Sequence, residues 1–193
     1  LQQQQHLLSD LVKERTKELD WQSQSNQLLA EISLQFLSID TCNVDKTLTE
    51  VCHKIGQLFD VERVSLLEFN QQHAYYRSFW TSDLHANKVQ VISVDNIAQL
   101  AKKFETESTL VIEDLEALKA FSPQEYEVMK SVGICSIAAF AIKNAGELLG
   151  LLSLSTVSRP LNWNAQKKNM LTQFASALNE LLLREQKERQ MIV

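Results

Sequence analysis

Residues 134–155 read Ile134-Cys-Ser-Ile-Ala-Ala-Phe-Ala-Ile-Lys-Asn-Ala-Gly-Glu-Leu-Leu-Gly-Leu-Leu-Ser-Leu-Ser155. Two apolar runs, Ile134–Ile142 and Glu147–Ser155, flank Lys143-Asn144-Ala145-Gly146. Asn and Gly accept the left-handed backbone of a tight reversal, so the stretch is expected to form a β-hairpin. Both runs are apolar on both faces, the mark of central strands covered on two sides. With Asn144 at the centre of a three-residue loop, the side chains sort into two sets. Ser136, Ala138, Phe140, Leu148, Gly150, Leu152 and Leu154 fall on one face, which is assigned to the terminal helices. Gly150 lacks a side chain and is expected to let a helix approach closely. Cys135, Ile137, Ala139, Ala141, Leu149, Leu151, Ser153 and Ser155 fall on the other. Ala and Ser fill little volume, so that second face is expected to leave room for a small guest.

Working outward, the C-terminal side carries Met170, Leu171, Phe174, Ala175, Leu178, Leu181 and Leu182 at helical spacing, after a start at Asn162 or Asn164. Past Arg184 the stripe fades into Glu-Gln-Lys-Glu-Arg, an exposed helix leaving the domain. On the N-terminal side of the hairpin, Ser122-Pro123-Gln124-Glu125 has the form of a capping box for a helix that stops at Gly133. Strands are expected at Val61–Phe69, Ala74–Trp80, Lys88–Val94 and Thr109–Ile112, with a short helix over Asn96–Phe104. Leu48, Val51, Cys52, Ile55, Leu58 and Phe59 form the face of a helix that Asn43 can cap. Residues 1–39 lack Pro and Gly. Written as heptads they place Val12, Leu19, Asn26 and Ser33 at one core position and Leu8, Arg15, Gln22, Leu29 and Phe36 at the other, an imperfect dimerisation helix because about half of these are polar. The order of elements is that of an α+β domain with an antiparallel sheet of about six strands, long N- and C-terminal helices being packed on one face.

The chain has 193 residues, 45% of them hydrophobic, enough for one sizeable core. Its net charge of −5 and pI near 5.4 offer nothing to attract a polyanion, which argues against nucleic acid as a partner. The longest apolar run falls short of the ~18 residues that span a bilayer, so no direct membrane insertion is expected. Cys42, Cys52 and Cys135 are odd in number and widely spaced, which fits a reducing, cytoplasmic setting. The start at Leu1 and the end inside a helical pattern suggest a piece of a longer protein, whose remainder could be membrane-anchored.

With these elements in order, residues 44–183 resemble a GAF domain. The likeness rests on Leu58-Phe59-Asp60-Val61-Glu62-Arg63-Val64-Ser65, Gly133-Ile134-Cys135-Ser136, Gly146-Glu147-Leu148-Leu149-Gly150-Leu151-Leu152 and Trp163…Phe174-Ala175. Leu11-Val12-Lys13-Glu14-Arg15-Thr16-Lys17-Glu18-Leu19 is similar to the signalling helices that precede sensor domains in bacterial histidine kinases and diguanylate cyclases. The resemblance implies three segments: a signalling helix at 1–43, a GAF/PAS-like sensor at 44–183 and a linker helix from 184 to 193. It also implies a small-molecule sensor without catalysis of its own, forming a homodimer through its terminal helices and covalently joined to an output domain. A ligand-free relay is the alternative, and a free methionine sulfoxide reductase-like enzyme a remote third, since Cys135 alone cannot both attack and resolve. The ligand contacts expected are Cys135, Ala139, Ala141, Ser153, Ser155, Asn96 and Trp80.

Family chemistry can be tested against the residues. Bilin attachment calls for a nucleophilic Cys beside the pocket. The pair Cys52-His53 lies on a helix, and Leu154-Ser155-Thr156 stands where phytochrome-like members carry His. The cyclic-nucleotide motif begins with Asn96 and Lys103-Phe104 but has Ser108-Thr109 in place of its acidic pair. His6, His53, His73 and His85 form no cluster for a metal or haem. The expectation is therefore an unidentified small molecule, with bilin, haem and metal disfavoured.

Overall fold

The structure is a computed structural model that describes residues 2–40, 43–69, 74–82, 102–120 and 123–191. The expected strand at Lys88–Val94, most of the expected helix from Asn96, and Cys42, His73, His85 and Ser122 lie outside the described residues. Two compact units are separate: Leu1–Ser38 and Ile39–Val193.

The first unit is one helix, α1 (Gln2–Ser38), 37 residues long. Arg15 and Glu18 pair across one turn at 2.9 Å, and the heptad residues Leu8, Val12 and Leu19 are exposed, as is Leu11.

The second unit contains α2 (Val44–Phe59), β1 (Arg63–Phe69), β2 (Ala74–Thr81), β3 (Thr109–Ile112), α3 (Leu115–Leu118), α4 (Pro123–Ser131), β4 (Ser136–Asn144), β5 (Glu147–Thr156) and α5 (Ala165–Met191). The described strands form a five-stranded sheet, β2-β1-β5-β4-β3, every neighbouring pair antiparallel. The hairpin strands sit inside it, as their two-sided apolarity requires. Its reversal is tighter than a three-residue loop. Asn144 pairs with Glu147, which leaves Ala145 and Gly146 as a two-residue turn, both at positive φ (48° and 87°).

α2 and α5 cover one face of the sheet. The α2 stripe of Leu48, Val51, Cys52, Ile55 and Phe59 is fully buried, and Phe59 meets Phe174 of α5 edge-on at 6.1 Å. Asn43 occupies the cap position of α2 without a side-chain cap bond. Asn164 does cap α5, its Oδ1 accepting from the Lys167 amide at 2.9 Å. Trp163 is buried at the entry to α5, donating from Nε1 to Ser136 Oγ at 3.0 Å, which in turn donates to the Ile112 carbonyl.

Two β-bulges reset the alternation of faces. In β2, Leu66 pairs with Ser78 and Leu67 with Tyr76, leaving Arg77 as the extra residue. In β5, Ile142 pairs with Gly150 and Lys143 with Leu148, leaving Leu149 extra. The second bulge moves Leu148 to the face opposite α2 and α5, where it packs on the apolar cluster there. That corrects the strict alternation expected for β5, which had put Leu148 beneath the helices. Gly150 also serves a different purpose from the one expected. A Cβ there would lie 2.3 Å from the Leu67 carbonyl oxygen, so it is the β1 backbone, not a helix, that needs the space.

Candidate functional site: the sheet face opposite the helices

The face away from α2 and α5 is built by alternate residues of all five strands. Its rows follow from the pairing. One crosses Phe79, Ser65, Ser153, Ala139 and Leu110; the next crosses Tyr76, Leu67, Leu151 and Ala141. Beyond Ser65 lies Arg63, paired with Ser155 on β5 and Thr81 on β2.

The two halves of this face differ. Over β3 and β4, Phe104, Leu115, Tyr126 and Met129 bury themselves against Leu110, Ile112, Ile137 and Ala139. Tyr126 is held at its hydroxyl, which donates to Glu116 Oε1 at 2.9 Å and accepts from Lys130 Nζ at 3.0 Å. The acidic residues nearby have structural partners as well. Asp114 caps α3 by accepting from the Glu116 amide, and Glu113 accepts from the Trp163 amide.

Over β1 and β5 the row of Ser65 and Ser153 is small and polar, while Leu67 and Leu151 in the next row belong to the apolar cluster. Ser65 and Ser153 share a hydrogen bond at 2.6 Å between their hydroxyls. Ser155 is buried and Ala139 is 1% exposed. Tyr76 and Phe79 stand edge to face at 5.7 Å on the β2 side. Burial pushes the Tyr76 hydroxyl up to about 12, against a lowering influence from the charge of Arg63.

Of the expected contacts, Ala139, Ala141, Ser153 and Ser155 share this face, with Cys135 at its edge just before β4. The Cys135 amide donates to the Thr156 carbonyl and its own carbonyl accepts from Leu115. Burial, then the charges of Asp114, Glu62 and Glu116, raise its thiol above the ordinary value. Trp80 does not join them. It lies on the helix side, stacked on His53 at 5.3 Å and pressed against Gly56 of α2. The Arg77 bulge is the cause, because it switches β2 between Tyr76 and Trp80. Asn96 lies outside the described residues. Cys52 faces the helix side too, and burial pushes its thiol up to about 11, against a hydrogen bond with Ser78. Among the described residues no group of His, Cys, Asp and Glu is arranged to hold a metal, and no helix is long and apolar enough to cross a membrane.

Two arginines escaped the sequence reading. On the helix side Arg77 is 8% exposed and meets three carboxylates: Asp45 of α2 at 2.6 Å, Glu68 of β1 at 3.2 Å and Glu185 of α5 at 2.7 Å. Arg189 closes the group on Glu185 at 2.7 Å. On the opposite face, Arg63 donates from Nη1 to the Val132 carbonyl at 2.6 Å. The only advance signal for either was a lone cation inside an otherwise apolar or aromatic strand.

The sequence pattern of the GAF domain family matches residues 43–182. A curated relative, the circadian input-output histidine kinase CikA of Synechococcus elongatus, is 22% identical over 182 residues. That match takes in 83% of this chain and 24% of the relative, so the chain spans about a quarter of its length. Among solved structures, the phycoerythrobilin-bound GAF domain from a cyanobacterial phytochrome is similar with a TM-score of 0.72 and 13% identity. It covers 86% of this chain and 97% of that one. The far-red absorbing dark state of JSC1_58120g3 with bound biliverdin gives a TM-score of 0.67 and 18% identity, covering 82% and 99%. These neighbours overturn the expectation that disfavoured a bilin. That expectation treated an attachment cysteine and its companion His as necessary. A chromophore is held largely by the shape and the apolar and polar contacts of its pocket, and the fold shared here is one that holds bilins in those proteins.

Proposed function

This chain belongs to the GAF domain family, and on that premise we propose that it is the sensory module of a multidomain signalling protein. Its ligand is an elongated conjugated molecule of the linear tetrapyrrole class, laid against the Ser65–Ser153–Ala139 strip. The observation that carries this reading is the unlike treatment of the two sheet faces. One is sealed by α2 and α5, while the β1–β5 half of the other carries the hydroxyl pair Ser65–Ser153 beside aromatic side chains and the apolar Leu67 and Leu151. The bilin-bound structures with this fold support the ligand class. Cys135 is the one described thiol at that face, so the ligand is held without a thioether or through Cys135 alone. Ala141 and Ser155 complete the contact set, with Asn96 retained from the sequence.

The ligand's occupancy biases two arrangements of the flanking helices, which carry the bias to an output domain. A parallel homodimer through residues 8–39 and α5 is the arrangement that does this. Exposed Leu8, Leu11, Val12 and Leu19 on α1 support it. Likeness to a histidine kinase supports a kinase as output, with a diguanylate cyclase as the other candidate; the module itself is not an enzyme. The test is to mix the purified chain with biliverdin and record the visible spectrum and the melting temperature. A narrowed, shifted absorption band and a raised melting temperature are expected, and no change in either refutes the ligand assignment.

A second reading has its own support. Phe104 and Tyr126 are 0% and 1% exposed over the β3–β4 half, which favours a filled, ligand-free relay. A melting temperature indifferent to biliverdin and to a metabolite library is its signature.

A further inference from the structure

The apolar stripe of α5 runs out at Leu182, and the next position on that face is Glu185, buried in a stretch whose later residues are exposed or half-buried. Among the described residues, then, the last turns of α5 dock on the sheet through a charge. Glu185 Oε1 accepts from Arg77 Nη2 at 2.7 Å. Arg77 divides its guanidinium among three elements, giving Nε to Asp45 of α2 and Nη1 to Glu68 of β1. What each partner keeps when this contact parts sets it apart from a permanent rivet. Arg77 retains Asp45 and Glu68. Glu185 retains Arg189, one turn further on and 2.7 Å from the same oxygen. Neither charge is orphaned, so parting costs one charge-assisted bond and not the desolvation of a lone ion. The neighbouring Arg184 is held as loosely, donating to the Ile39 carbonyl at 3.4 Å in the segment that leads into α2. On the strand side, Tyr76 precedes Arg77 and stands on the opposite face of the sheet, edge to face with Phe79. One peptide therefore separates the two faces at the bulge, where the extra residue has no ladder partner.

We propose that Arg77 and Glu185 form a releasable latch between the β2 bulge and the exit turns of α5, docked as an ion pair or parted with both charges still matched, and that a shift of Tyr76 works the latch through the peptide between them. A charge-assisted bond is directional and is either made or broken, whereas an apolar contact slides, so the latch gives the helix two discrete positions. Arg77 is a positioning residue that touches no ligand. The latch belongs to the helix side of the sheet and stands whether the opposite face takes a tetrapyrrole, another molecule or none.

The test is residue-resolved amide exchange, followed by NMR, on the unaltered chain, on Glu185→Gln and Arg77→Lys, and on the control Glu188→Gln. The control removes the partner that Arg184 has at 3.6 Å in the same turns. It reports what charge pairing along the helix alone is worth, about twofold in exchange rate. In Glu185→Gln the amides of residues 184–189 are expected to exchange about tenfold faster, the loss of one charge-assisted bond, with those of 170–178 unchanged. Arg77→Lys should lie between, because it keeps the charge and loses the fork that reaches three carboxylates. It also makes the comparison from the sheet side should Glu185→Gln fail to fold, which circular dichroism decides. The ring resonances of Tyr76 and Phe79 should move in Glu185→Gln and stay in Glu188→Gln, a change across the sheet that a support confined to the helix does not produce. Unchanged exchange at 184–189, acceleration matched by Glu188→Gln, or acceleration spread evenly from 170 to 189 overturns the latch. Release of the exit turns with both rings unmoved overturns its link to the opposite face.

Discussion

The two faces of this sheet handle an arginine in opposite ways. Beneath the helices Arg77 is saturated: α2, β1 and α5 each supply a carboxylate, and Arg189 shares Glu185. On the other face Arg63 has, among the described residues, a single carbonyl partner and a sheltered Nε with none. A fully paired network rigidifies what it joins, whereas an incomplete one is either a defect or a receptor. The difference teaches where this domain is built to be finished and where it is built to be completed by something else.

The comparison is broken most forcefully at Arg77. Arg77→Met strands Glu185, itself 5% exposed, beside Glu68, and removing one member of a buried pair costs about 3–5 kcal/mol. Arg189 remains on Glu185, which places the expected loss near ~3 kcal/mol, read from urea unfolding. The double variant Arg77→Met with Glu185→Leu should lose less than the two single variants summed, because the charges are coupled.

A smaller effect sharpens the other side. Ala139→Phe introduces a ring where Ala139 is already packed among Leu110, Ile137 and Leu151. Close packing there makes the ring destabilising by ~1–3 kcal/mol, whereas a ligand space over Ala139 tolerates the ring and loses ligand binding. Unchanged stability would mean that the face has more free volume than its burial indicates. The smallest effect touches neither face. Ala145 sits at φ 48° in the hairpin turn, a conformation that Asn tolerates far better than Ala. Ala145→Asn should stabilise by ~0.5–1 kcal/mol, which calibrates the unfolding measurements against a purely local change.

Much of this architecture was legible before the coordinates. The central position of β4 and β5 followed from two-sided apolarity, and the helices from stripes at offsets of three and four. The face assignments held from Cys135 to Ala141 because alternation is unbroken there. They failed for Leu148 and were never drawn for Trp80, and each lies just past a bulge. An extra residue in a strand leaves no compositional trace, since Arg77 and Leu149 are ordinary strand neighbours to the eye. The clamp on Arg77 was illegible for another reason. Its partners stand 32, 9 and 108 residues away in sequence, and only the tertiary fold gathers them. Arg63 lies within a family-like stretch, yet its unpartnered Nε belongs to a neighbourhood that no spacing rule encodes.

The bulge at Arg77 has a consequence for how relatives of this chain should be aligned. Deleting that one residue, instead of replacing it, restores two-by-two alternation along β2 and leaves Tyr76 and Trp80 on their present opposite faces, now three positions apart. The ring stacked on His53 and the ring beside the serine strip both keep their places, and what is lost is the cation that joins Asp45, Glu68 and Glu185. Strand length here carries meaning independent of residue identity. A single-residue gap opposite position 77 marks a homologue whose domain has exchanged a charge clamp for a regular strand, and such a gap is inherited architecture, not alignment noise.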